Sequence, residues 1–189
     1  MYKRQVQSSL NILGSYAVAA FTAGSKIESI FTQAFVAIGT AMSTYNAQNI
    51  GARKLDRVRK GFRSADVIGC TYGVLVGFIL FFVGKYFAYL FISDNAEVVI
   101  PMVETYLQCV GMFMIPLYVV NSYRNGFQGM GYGLLPMLSG VAELVGRGIM
   151  AIVASNKKSY TMACMASPFA WIVATVLLIG LYFYVCLLY

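Results

Sequence analysis

Gln48-Asn49-Ile50-Gly51-Ala52-Arg53-Lys54-Leu55-Asp56-Arg57-Val58-Arg59-Lys60-Gly61-Phe62-Arg63 decides how this chain is read. Six of the 14 Lys and Arg residues fall here, with a single acid, Asp56. Long apolar runs lie on either side. Lys and Arg are retained on the inner side during insertion, so a cationic cluster between two membrane-length runs marks a cytoplasmic loop. Arg53, Lys54, Arg57, Arg59, Lys60 and Arg63 therefore set the topology, with the loop over residues 48–63. That assignment fixes the direction of every other helix and places the C-terminus on the cytoplasmic side of an inner or plasma membrane.

Composition agrees. Hydrophobic residues make up 59% of the chain and charged residues 11%. Soluble domains have roughly 45–50% apolar and about 25% charged residues. So much apolar surface needs lipid as its solvent. The net charge of +7 is mostly the one loop, as positive-inside topology requires, and does not point to nucleic acid. There is no histidine, and Cys70, Cys109, Cys164 and Cys186 stand isolated in apolar runs. They form no metal-ligand spacing and read as small packing residues. No nucleophile has a base at suitable spacing and no nucleotide motif is present, so an enzyme is not expected and no cofactor is called for. No cleavable signal peptide is expected at the N-terminus.

The expected architecture is all-α, a polytopic bundle of five full spans over residues 17–47, 64–91, 96–121, 134–154 and 160–188, with a partial helix over 1–13. In the first span Lys26, Ser29, Gln33, Ala37, Thr40 and Thr44 recur at three- and four-residue steps. They give one small or polar stripe, either for hydrogen bonding between helices or for the wall of a cavity. Gly69, Gly73 and Gly77 form a small-residue seam in the second span. Pro116 predicts a kink in the third, freeing the carbonyl near Met112. Residues 124–133, with four glycines, read as a cytoplasmic turn. Glu143 and Arg147 share a face of the fourth span at i,i+4 spacing. They read as a buried structural ion pair, or as a proton-accepting acid beside its guanidinium.

Several stretches then resemble one family. Residues 7–14, 18–23 and 26–28 resemble a turn and helix start of the multidrug and toxic compound extrusion (MATE) family. Gly39-Thr40-Ala41-Met42, followed by Gln48-Asn49-Ile50-Gly51-Ala52 and the basic loop, looks like that family's most recognisable signature. Tyr123-Arg124-Asn125-Gly126-Phe127-Gln128-Gly129-Met130-Gly131 looks like the turn after its tenth helix. Glu143 with Arg147 is similar to a pair in its eleventh helix, and Pro168-Phe169-Ala170-Trp171 resembles the start of its last.

The resemblance implies a twelve-helix, two-lobed antiporter, of which this chain is the C-terminal lobe without most of its first helix. Residues 1–13 would be the tail of helix seven, and the five spans helices eight to twelve. It implies efflux of drugs or other small organic cations by alternating access, coupled to protons or sodium, with protons favoured. An N-terminal lobe is the implied partner. The substrate-cavity candidates are Asn11, Gln33, Thr40, Tyr118 and Asn121, with Tyr118 as an aromatic surface for planar cations. Glu28 is the free intramembrane acid and the ion-relay candidate. Two other readings stay open: a non-transporting truncated protein or partner subunit, and a lipid-linked sugar flippase.

Overall fold

The computed structural model describes residues 14–90, 92, 96–157 and 159–188, and all eight elements among them are helices. Asn11, residues 1–13 and the acidic turn at 93–95 lie outside the described residues.

α1 (Ser15–Gly51) is the longest element, with 37 residues. At 1.5 Å per residue it runs about 55 Å. Its inward residues, Ala17, Ala20, Gly24, Ile27, Phe35, Gly39, Met42, Asn46 and Asn49, follow the helical period. Small residues among them let its neighbours approach. α1 packs against α2 (Leu55–Phe82), α4 (Ala96–Gly111) and α5 (Met114–Gly129), and so forms the axis of the bundle.

The basic stretch differs from expectation. α1 runs through Gly51 and α2 begins at Leu55, so the loop expected over residues 48–63 is a turn at 52–54. Arg53 takes φ 57° there. The reason is amphipathicity. Val58, Phe62 and Ala65 are buried at three- and four-residue steps while the cations between them stay exposed. Charge alone does not end a helix whose other face can pack.

The third span also differs. Two helices, α4 and α5, meet at residues 112–113 with a bend of 54°. Pro116 is the third residue of α5, within the first helical turn, where a missing N–H breaks no intrahelical bond. Its carbonyl accepts a hydrogen bond from Thr175 Oγ1 at 3.1 Å. α5 continues to Gly129, so most of the turn expected over residues 124–133 is helix, Arg124 included. The chain reverses at residues 130–133, where Gly131 has φ 90°.

α2 ends at Phe82 and a short α3 (Gly84–Tyr89) follows. α6 (Leu134–Lys157) lies against α8 (Ala166–Leu188), with α7 (Tyr160–Cys164) between them in sequence, and α5 packs on α8. By length and apolar content α2, α6 and the α7–α8 segment can each cross a membrane, as can the bent α4–α5 pair. α1 is long enough but too polar to join them on composition, and the reason lies in its exposed face.

Candidate functional site

Three polar groupings stand out. The first is the outer face of α1. Thr22, Lys26, Ser29, Gln33, Ala37, Thr40 and Thr44 are all exposed along one side, flanked by Ile30 and Val36. Their hydroxyls turn back to the helix: Thr22 Oγ1 donates to Val18 O at 2.7 Å, Ser29 Oγ to Lys26 O at 2.7 Å and Thr40 Oγ1 to Val36 O at 3.0 Å. Among the described residues these hydroxyls bond their own helix rather than its neighbours. Against the described residues, then, the stripe is an exposed polar face.

The second grouping lies on the other side of α1. Glu28 Oε2 accepts a hydrogen bond from the Tyr106 hydroxyl at 2.5 Å. Tyr106 is buried, its ring seated against Gly24 and edge-on to Phe21 at 4.9 Å. Glu28 is therefore not the free acid expected from the sequence, and it does not share the exposed stripe. Its neighbourhood joins a chain of charges. Arg147 acts electrostatically on Glu28, and its Nη2 lies 3.0 Å from Glu143 Oε2. Arg124 Nη2 reaches Glu143 Oε1 at 2.5 Å, and Arg124 Nε donates to Ser139 Oγ at 2.9 Å. Glu143 thus sits between two guanidiniums and ties α5 to α6, while the Glu28–Tyr106 hydrogen bond ties α1 to α4. Two acids and two arginines balance, which is how charge is tolerated inside a membrane bundle.

The third grouping joins α2 to α5. Asp66 Oδ2 accepts from the Tyr123 hydroxyl at 3.0 Å, and Oδ1 from the Tyr118 hydroxyl at 3.3 Å. The Tyr118 hydroxyl also lies 3.2 Å from Ser122 Oγ. Tyr118 is fully buried, its ring against Gly69 and Phe35. This corrects the expectation of an aromatic cavity surface: the glycine seam makes a slot, and the Tyr118 ring fills it.

The remaining candidates divide. Gln33 and Thr40 share the open wall. Asn121 is half-buried where α5 meets Gly39 of α1, and its Nδ2 donates to Leu117 O at 3.0 Å. Arg53, Lys54, Arg57, Arg59, Lys60 and Arg63 surround the α1–α2 turn, with Lys60 and Arg63 on the exposed side of α2. Sequence reasoning passed over Asp66, Tyr106 and Arg124. Asp66 lies three residues before Gly69, on the seam's own face, so extending that face back by one turn would have found it. No group of three metal-ligating side chains occurs among the described residues.

These features define a multi-pass, all-α membrane protein. The MatE family model matches residues 5–153, and the chain belongs to that family. It is similar to the probable multidrug resistance protein YpnP of Bacillus subtilis (strain 168), at 29% identity over 133 residues. That alignment covers 70% of this chain but only 29% of the relative, so the chain matches under a third of that protein's length. No solved structure matches.

Proposed function

We propose that this chain forms one lobe of a cation-coupled efflux transporter in the plasma membrane, with the α1–α2 turn on the cytoplasmic side. The exposed polar wall of α1 carries the reading. Hydroxyls and an amide facing hydrocarbon are unfavourable, so this face belongs against water or a second lobe. In a transporter built from two similar halves it lies where the halves meet and where the substrate passes. The substrates are small organic cations or drugs, in keeping with the name of the Bacillus relative.

Coupling belongs to Glu28. Among the described residues its carboxyl has one tyrosine hydroxyl and a nearby guanidinium rather than a shell of oxygen ligands. The positive charge of Arg147 disfavours a sodium ion beside it, whereas gain and loss of a proton at Glu28 needs no such shell. Protons are therefore favoured over sodium. A change of charge at Glu28 acts on α4 through its hydrogen bond with Tyr106, which gives ion binding a mechanical path to the bundle.

Single cysteines test the wall. In the complete transporter, Gln33→Cys and Thr40→Cys should react with a water-soluble maleimide, and a transported cationic dye should slow the reaction. Ile152→Cys, on the exposed apolar side of α6, should stay unreactive. Gln33→Cys as inert as Ile152→Cys would remove α1 from the substrate path.

A further inference from the structure

The exposed side of α2 changes character along its length. Lys60 and Arg63 are exposed, and neither forms a side-chain ion pair among the described residues. Val67 follows Arg63 by four residues, so it lies on the same face one turn further on, and it is 69% exposed, beside Ile68 at 61%. Val74 and Phe78 continue that line. There α2 meets the break between α4 and α5, and a groove of about 360 Å³ opens. Gly73, Gly77 and Gly111 form its floor, and Phe78, Phe82 and Met112 stand among its walls. Gly77 and Gly111 lack side chains where the two backbones approach, and the bend at residues 112–113 keeps α5 from filling the space.

We propose that this face of α2 binds an anionic phospholipid, its phosphate held by Lys60 and Arg63 and one acyl chain lying in the groove at the helix break. The spacing fits. Arg63 lies about 6 Å along the helix from Val67, within the headgroup layer of roughly 5–8 Å that borders the hydrocarbon. Gly77 lies about 15 Å beyond Val67, the depth of one leaflet. A free phosphate ion meets the two cations but has no use for the apolar track beneath them. A zwitterionic lipid fills the groove but brings its own cation to Lys60 and Arg63. An anionic lipid satisfies both halves of the face. The proposal needs only a membrane-spanning chain and stands apart from the transport reading.

The test uses the full chain purified in detergent, with lipid retention measured by native mass spectrometry and by thermal stability. The probes are phosphatidylglycerol, phosphatidylcholine and inorganic phosphate. Phosphatidylglycerol should be retained in preference to phosphatidylcholine and should raise the melting temperature. A relocated variant, Lys60→Gln and Arg63→Gln with Ala47→Lys and Gln48→Lys, keeps the charge of the hairpin and its topology signal. It should bind phosphatidylglycerol about 30-fold more weakly, from about 1 kcal/mol per cation near the surface. Phe78→Gln should weaken both lipids together. Unchanged binding in the relocated variant would overturn the site in favour of diffuse attraction. Displacement of the lipid by inorganic phosphate would overturn the lipid as its source, and an unaffected Phe78→Gln would overturn the groove.

Discussion

Glu28 and Glu143 are both glutamates inside the bundle, yet their surroundings differ. Glu143 is gripped by Arg124 and Arg147, with only 12% of its side chain exposed. Removing it takes the carboxylate from two guanidiniums at once. Glu143→Ala should therefore destabilise the chain by on the order of 3 kcal/mol, in the range for breaking a buried pair. Arg147→Ala should cost less, because Arg124 still neutralises the carboxylate. Replacing Glu143 and Arg124 together by apolar residues should recover part of the folded yield, since one guanidinium rather than two then loses the Glu143 carboxylate. Glu28→Gln keeps an acceptor for the Tyr106 hydroxyl and should leave folded yield near the parent value while reducing efflux by the complete transporter. Detergent-extracted yield and dye efflux, measured side by side, separate the two roles. Equal loss of yield in Glu28→Gln and Glu143→Ala would make both structural. The sequence showed the Glu143–Arg147 spacing because i,i+4 neighbours meet on any helix. It hid Arg124 and Tyr106 because their partners lie 19 and 78 residues away in the chain.

Among the elements, apolar runs and small-residue periods were legible and helix ends were not. The seam Gly69-Gly73-Gly77 reads as a place of close approach, and the structure shows what approaches. An added Cβ at Gly69 would overlap the Tyr118 ring, and one at Gly77 would stand 2.7 Å from the Gly111 carbonyl oxygen. The basic stretch over 48–63 reads as a loop for its charge, and residues 124–133 for their glycines. Most of both is helical because Val58 and Phe62, and then Gly126 and Phe127, bury their side of the helix. Pro116 marked the right region of the third span, but the break falls before it, and the proline serves as an early residue of the next helix. The glycines carry a prediction at this scale. Gly69→Ala should lower stability by about 1–3 kcal/mol, the usual range for overpacking. Gly148→Ala, in α6 with nothing within 4 Å of the new methyl, should raise it by up to about 1 kcal/mol through helix propensity. Thermal melts of the detergent-solubilised variants give the comparison, and a stabilised Gly69→Ala would mean that α2 and α5 do not pack this closely.

For the molecule as a whole, the uneven quality of its surface is the main constraint. α2, α6 and α8 expose Val, Ile, Leu and Phe, as lipid requires, while the outer face of α1 exposes hydroxyls, an amide and a lysine. A chain selected to sit in lipid on all sides would not keep that face, so under the transport reading proposed above its cost in this chain alone and its use against a second lobe would have one origin. Ser29→Leu, Gln33→Leu and Thr40→Leu together should therefore act in opposite directions on the two. Transfer of a partly compensated polar group is unfavourable by about 0.5–2 kcal/mol. The gain should be smallest at Ser29 and Thr40, whose hydroxyls already bond the helix backbone, and largest at Gln33. The triple variant of this chain alone should fold in the membrane with higher protease resistance than the parent. The same three substitutions in the complete transporter should reduce cationic dye efflux to background, because the wall would no longer hold water or a cation. Protease resistance of the lobe and efflux by the whole protein are independent readings. If efflux survives, the path runs elsewhere. If efflux is lost but the lobe gains no stability, the face is already covered, and the cover lies within the chain or in a partner that binds it without transport.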